Sequence, residues 1–298
     1  MSAPREPRHV PVLAAEVLRL LDPQPGQTFV DCTTGGGGHS RLIAERLVNP
    51  ERPGTLVSLD QDPTMLERAR PRLSEIPGTQ VTLVHANFDQ LSAVLQRLGI
   101  QTVDGVLADL GFASDQMDER ERGFSFREDG PLDMRLDPTS GATAADLVNT
   151  MSEAGLADVF FEFGEERHSR RVARKIVERR KTKPFVTTAD LANVVRSCVP
   201  RSGGIDPATR VFQGLRIAVN DELGALDRLL ASLPRIVKPG GRAAIISFHS
   251  LEDRRVKHTF RDGLLWEPLT KKPVEAADEE LAQNPRSRSA KLRVAKRT

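Results

Sequence analysis

The feature that most restricts the fold is an alternation. Across the first 110 residues, short β-branched runs take turns with amphipathic segments: 28–32 then 40–48, 54–60 then 63–73, 80–85 then 90–98, and finally 103–110. Such runs separated by helix-length segments predict βαβ units, and therefore a parallel sheet covered by helices on both faces. The alternation stops at Gly111. From there to about Thr209 no comparable strand is present, and a Gly/Asp/Arg-rich stretch leads into helical segments at 144–150, 153–163, 166–180 and 188–198. The α/β pattern resumes with a long helix at 207–236, a Pro239-Gly240-Gly241 turn, a strand at 242–248, a helix at 251–261 and a last strand at 290–295, past a loop containing Trp266 and Pro268. The expected architecture is a doubly wound α/β domain made of residues 1–112 and 207–298, interrupted after its fourth strand by a helical insertion, residues 113–206.

A chain of 298 residues buries a sizeable core without disulfides or metal, and no stretch reaches the roughly 18 apolar residues of a membrane span. Residues 1–9 lack an apolar signal region and two cysteines make no disulfide framework, so a cytoplasmic location is expected. Net charge is +2, but it is segregated: residues 167–183 carry nine Lys/Arg against the single acid Glu178, and residues 284–298 carry six and no acid. Acidic residues gather at 115–137 and 275–280. That segregation suits a polyanionic partner, and it equally suits a solvated helix face followed by a loose tail. With no Tyr in the chain, base stacking falls to Phe, Trp, His or Arg.

The first strand runs through Phe29-Val-Asp31 into Cys-Thr-Thr-Gly35-Gly-Gly-Gly38-His39-Ser40 and a helix. Glycines there let backbone approach a ligand at the carboxyl end of the strand, although the third position of a dinucleotide fingerprint holds Ser40. The second strand ends on Asp60, about 20 residues farther on, where an acid accepts both hydroxyls of an adenosine ribose. After the third strand comes Ala86-Asn-Phe88-Asp89, which sets Phe88 to lie over adenine while Asp89 reads as a helix N-cap; after the fourth comes Asp109-Leu-Gly111. NAD and S-adenosylmethionine both carry such a ribose. Acids ending strands one, two and four favour a cationic methionine group over a pyrophosphate, which calls for helix-terminal N–H groups and a Lys or Arg. A methyltransferase is therefore expected ahead of a dehydrogenase.

Several further motifs occur in order: His9-Val-Pro-Val-Leu13, Arg122-Gly-Phe-Ser-Phe-Arg127, Asp129-Gly-Pro-Leu-Asp-Met-Arg135, Gly164-Glu-Glu-Arg167, Pro207-Ala-Thr-Arg210, Ser247-Phe-His-Ser-Leu-Glu-Asp-Arg254 and Asn284-Pro-Arg-Ser-Arg-Ser289. With the Gly35–Ser40 loop and Asp109-Leu-Gly111, they make the chain closely resemble the bacterial 16S rRNA cytosine-N4 methyltransferase family, MraW or RsmH. The resemblance implies a Rossmann-like methyltransferase sheet with a helical insertion, S-adenosyl-L-methionine as methyl donor, and a cytidine in the decoding region of 16S rRNA as acceptor. It carries cofactor contacts onto Gly37, Gly38, His39, Asp60, Phe88, Asp109 and Gln116. The loop departs from the family pattern in reading Asp-Cys-Thr-Thr where Asp-Gly-Thr-Leu or Asp-Gly-Thr-Phe is expected.

Cytosine N4 is a poor nucleophile, so its methylation depends on groups that orient the amine in line with the methyl donor. Asp109 is the candidate for that task, and His249, at the end of the fifth strand, is a second catalytic candidate facing the same crevice. The usual Asn/Asp-Pro-Pro-Tyr/Phe motif is absent. Methylation at C5 would require a cysteine nucleophile, whereas Cys32 and Cys198 both read as small core residues. No His/Cys pair has metal-ligand spacing, so no metal is expected. RNA is expected along Arg167, Arg170, Arg171, Arg174 and Lys175 and along the basic tail through Arg286 and Arg288. Phe124 and Phe126 either stack on an extruded cytidine or fill the insertion's core. The partner is then the small ribosomal subunit or its rRNA, with no membrane; a homodimer is compatible with the sequence, and so is a non-enzymic assembly factor that binds RNA on the same fold.

Overall fold

The structure is a computed structural model that describes residues 11–74, 76–201 and 204–298. Residues 1–10, with His9 and Val10 of the first motif and the stretch bearing on export, lie outside the described residues. The chain divides into two compact units, one running to Gly111 and resuming at Leu223–Thr298, the other Phe112–Glu222.

The first unit holds a seven-stranded sheet: β1 (Thr28–Asp31), β2 (Gly54–Asp60), β3 (Thr79–His85), β4 (Val103–Asp109), β5 (Val237–Ser247), β6 (Trp266–Pro268) and β7 (Lys291–Arg297), in the order β3-β2-β1-β4-β5-β7-β6. Strands β1 to β5 pair in parallel, while β7 runs antiparallel to β5 and β6 antiparallel to β7. Strand order reverses between β1 and β4, and the carboxyl ends flanking that switch point are where open α/β sheets bind ligands. Burial follows the two-residue period of the strands. Val30, Val106, Ala108, Ala243 and Ile245 enter one apolar cluster with Leu226, Leu229 and Val256, whereas Phe29, Leu107, Ala244 and Ile246 enter another with Val17, Leu21 and Ile43. The sheet is thus buried on both faces, as the near-continuous apolar strands predict.

Two boundaries differ from the sequence reading. Strand β5 starts at Val237, ahead of the Pro-Gly-Gly turn, because Val103 pairs with Val237 and Gly105 with Arg242, so the turn is absorbed as a bulge inside one strand. The long helix expected at 207–236 is two helices, Ala208–Asn220 and Glu222–Ile236, separated by Asp221 in a left-handed conformation (φ 47°). Val211, Phe212 and Leu215 bury their side chains in the second unit's core, so Ala208–Asn220 belongs to that unit, and the boundary falls near Glu222 instead of 206/207.

All the α-helices of the second unit beyond Ser114–Asp118 pack into that core: Ala144–Thr150, Glu153–Glu162, Ser169–Arg180, Thr188–Cys198 and Ala208–Asn220. Three of them start on side-chain caps, and the helix expected from residue 166 starts at Ser169. Thr143, Ser152 and Thr187 accept hydrogen bonds from the backbone N–H of Asp146, Gly155 and Asp190. Among the described residues no helix is long and apolar enough to cross a membrane.

Candidate functional site

The carboxyl ends of β1, β2 and β4 bring three acids to one edge of the sheet. Asp31, ending β1, is fully buried; its carboxylate accepts from Ser40 Oγ (2.6 Å) and from the Thr33 N–H (3.1 Å). Ser40 Oγ stands 3.0 Å from Ser58 Oγ of β2, so the first helix turn and two strand ends share one polar network. The loop between β1 and its helix is drawn onto β2 as well. Thr34 donates both its N–H and its hydroxyl to Leu59 O, each at 2.8 Å, and the Gly35 N–H donates to Asp60 Oδ2 at 2.7 Å. Arg72 Nη1 donates to Gly36 O (3.0 Å) from the flanking helix Pro63–Leu73. Gly37 has φ 83°, and a Cβ there would meet Ala69 Cβ at 3.2 Å, so both conformation and space call for glycine.

Asp60 Oδ1 accepts from the Asp62 N–H (2.9 Å). Despite these two backbone donors, burial raises the Asp60 carboxyl to about 7, with the nearby carboxylates of Asp62 and Asp31 adding to the shift. Asp31 is also raised, by burial. The Asp109 N–H, at the end of β4, donates to Thr33 Oγ1 at 2.6 Å, which ties the β1 loop to the β4 end. Its side-chain Oδ1 is buried with no hydrogen-bond partner, and Oδ2 lies 3.8 Å from Nε2 of the buried His39. Burial pushes the Asp109 carboxyl well above the usual range, and the Asp31 and Glu252 carboxylates push it further. Three carboxyls that are costly to ionise, with one oxygen unpartnered, make an edge that a cation would relieve; the diol of a ribose would satisfy Asp60. The residues present therefore fit a cationic adenosine-type ligand.

Beyond β5, Glu252 is almost wholly buried and its Oε2 accepts from the N–H groups of Phe248 (2.8 Å) and His249 (3.3 Å), fixing the entry to the helix Ser250–Phe260. His249 Nε2 lies 3.2 Å from Glu252 Oε1, and His249 Nδ1 is buried without a hydrogen-bond partner. Phe88 is half-buried against the core beside Leu91. Its turn is capped by Asn87, which accepts from the Asp89 N–H, and Asp89 pairs with Arg228 at 2.9 Å, so the cap is Asn87 instead of Asp89.

Gly37, Gly38, His39, Asp60, Phe88, Asp109 and His249 all belong to the first unit, on or just beyond the carboxyl ends of its strands. Gln116 belongs to the second, where its buried Oε1 accepts from the Ala113 N–H (2.8 Å) at the start of Ser114–Asp118. Thr33 was not among the expected residues; a hydroxyl two residues past a strand-end acid was its only sequence signal.

Arg170, Arg171, Arg174 and Lys175 are exposed on Ser169–Arg180, whose opposite face buries Val172, Ala173 and Ile176. Arg167, just ahead of that helix, is also exposed. Among the described residues, Arg174 and Lys175 are the two of these that pair with acids, Glu153 at 3.7 Å and Glu178 at 3.8 Å. Arg286 and Arg288 lie in a short 3-10 helix, Pro285–Ser289, Arg288 being exposed. The basic tail beyond it is a sheet strand instead of a loose arm: Arg293 is buried in a two-pronged pair with Asp253 (2.6 and 3.1 Å). Phe124 and Phe126 take core positions, Phe124 stacked on Phe112 at 5.0 Å and Phe126 edge-on to Phe212 at 4.7 Å. Cys32 and Cys198 are buried, and burial raises both thiols, Cys32 well above its ordinary value.

The sequence matches the model of the MraW methylase family over residues 6–298. It is 51% identical over 297 residues to the ribosomal RNA small subunit methyltransferase H of Sorangium cellulosum, covering 99% of this chain and 92% of that protein. The protein of the same name from Nostoc sp. is 51% identical over 292 residues (97% and 92% covered), and that from Deinococcus radiodurans 48% over 290 (97% and 89%).

Proposed function

Because the chain belongs to the MraW methylase family, we propose that it transfers a methyl group from S-adenosylmethionine to the N4 amine of a cytidine in the decoding region of small-subunit rRNA. The observation that carries this reading is Asp109: a strand-end carboxyl at the switch point, raised by burial and by neighbouring acids, with one oxygen unpartnered. When bound, S-adenosylmethionine supplies an electrophilic methyl group on a positively charged sulfur.

The residues that would hold it are the Gly37–Gly38 loop with His39, Asp60 at the ribose, Phe88 at the adenine and Asp109 near the charged end. A positive charge beside Asp109 favours its ionised form, which offsets the cost of burying it. Ionised Oδ1 accepts a hydrogen bond from the N4 amine and fixes the direction of its lone pair. Thr33 Oγ1 fixes the Asp109 backbone by accepting its N–H, and the His39 ring lies 3.8 Å from its carboxylate. His249 contacts the target nucleotide, its ring held by Glu252. The arginines of Ser169–Arg180 neutralise rRNA phosphates.

Both cysteines argue for N4 over C5. A C5 route needs a thiolate that attacks C6, and each thiol here is buried and raised in pKa.

The test is transfer of a labelled methyl group to small subunits that lack this modification. Wild-type protein should label them, and Asp109→Ala should be slower by about 100-fold or more, since a misplaced amine forfeits in-line geometry. Absence of transfer by the wild type would support an assembly factor without catalysis.

A further inference from the structure

The second unit contains a cavity of about 340 Å³ that the methyl-transfer site does not use, lined by Glu166, Arg167, Ile205, Pro207 and Arg210 among others. Its size is at the lower end of small-molecule pockets, about 300–1,000 Å³, and admits one nucleotide.

The lining is chemically divided. Ile205 is 58% exposed, an apolar surface offered to solvent beside the buried ring of Pro207. Glu166 is 3% exposed; its Oε1 accepts from the His168 N–H at 2.7 Å, and a carboxylate has further acceptor capacity on its second oxygen. Arg167 and Arg210 are both exposed and neither forms an ion pair among the described residues, Arg210 reaching only Glu165 O at 3.4 Å. Asp206, by contrast, is held by Arg196 at 2.9 Å and by the Ala208 N–H, so it does not neutralise these arginines. The cavity therefore combines an apolar wall, a buried acceptor and two available guanidiniums.

We propose that this cavity takes a single unpaired nucleotide of the RNA substrate whose base carries an exocyclic amine. The base lies against Ile205 and Pro207, its amine donates to Glu166, and its phosphate meets Arg167 and Arg210. Uracil is disfavoured, because its ring N–H is flanked by two carbonyl oxygens that a carboxylate repels. A peptide lacks the paired requirement for an apolar ring, a donor edge and a dianionic or diester phosphate. This reading rests on rRNA being the substrate and goes beyond it in assigning a second nucleotide subsite.

The experiment titrates the full-length protein, without methyl donor, with four otherwise identical short RNAs that carry C, A, G or U at one unpaired position, and measures methyl transfer to small subunits in parallel. Wild-type protein should bind the C, A and G RNAs about tenfold more tightly than the U RNA. Glu166→Gln should erase that discrimination, since an amide also donates to the uracil carbonyls. Arg210→Gln should weaken all four by a similar factor and preserve the order. An S-adenosylmethionine titration should be unchanged in both variants, which separates the effect from misfolding. Equal binding of the four RNAs by wild type, or discrimination that survives Glu166→Gln, would overturn the subsite while leaving methyl transfer intact. Absence of methyl transfer by the wild type, with the binding order and its loss in Glu166→Gln as expected, would reject rRNA methylation and still support the nucleotide subsite.

Discussion

At the residue scale, the site is a set of carboxyls whose pKa values burial raises, and for Asp60 pH exposes this directly. The folded pKa of Asp60 is raised to about 7, against an ordinary 3.8. Between those values the folded state binds more proton than the unfolded one, so this group's contribution to stability is fully present below about pH 4 and is lost as pH rises through 7. Ligand-free Asp60→Asn protein should therefore gain on the wild type by about 5 °C in unfolding midpoint between pH 4 and pH 8. Parallel melting curves across that range would remove the burial effect from Asp60. The same acid should bind the donor less well when protonated, and calorimetry of Asp60→Ala should show affinity reduced by about tenfold or more, from loss of charge-assisted hydrogen bonds to the ribose. Asp60 and Asp109 are legible in the sequence because an acid ending a strand is a local pattern. Thr33 is not, since its partner is the backbone of a strand 76 positions away.

At the element scale, the helix Ser169–Arg180 divides cleanly between a buried apolar stripe and exposed arginines. Replacing Arg171 and Arg174 with Glu should weaken RNA binding and reduce the slope of log K against log salt by about 1.5–2, as expected for two lost phosphate contacts. An unchanged slope would make this face a solvated one. What the sequence conceals at this scale is interruption. The apolar period runs on through 207–236, and only the left-handed Asp221 divides it into two helices whose buried faces serve different cores. The Pro239-Gly240-Gly241 segment signals a turn and is a bulge, because pairing with β4 resumes on its far side. The charge run at 284–298 conceals the opposite: half of it is a sheet strand, and Arg293 is committed to Asp253.

At the scale of the whole molecule, a sheet buried on both faces holds the acid-bearing strand ends rigidly, and a separate helical unit offers basic and cavity-forming surface. The alternation of strands and helices revealed the first of these, whereas the helical unit's cavity depends on side chains from three separated segments and has no signature in any one of them. The central claim is direct transfer to N4 without an enzyme nucleophile. A Cys32→Ser, Cys198→Ser double variant should keep methylating, since neither thiol takes part. The most direct measurement is mass spectrometry of nuclease-digested rRNA after reaction with that variant: a cytidine carrying the methyl group on N4 is predicted, whereas a C5-methylated product from the wild type that disappears in the variant would contradict the account.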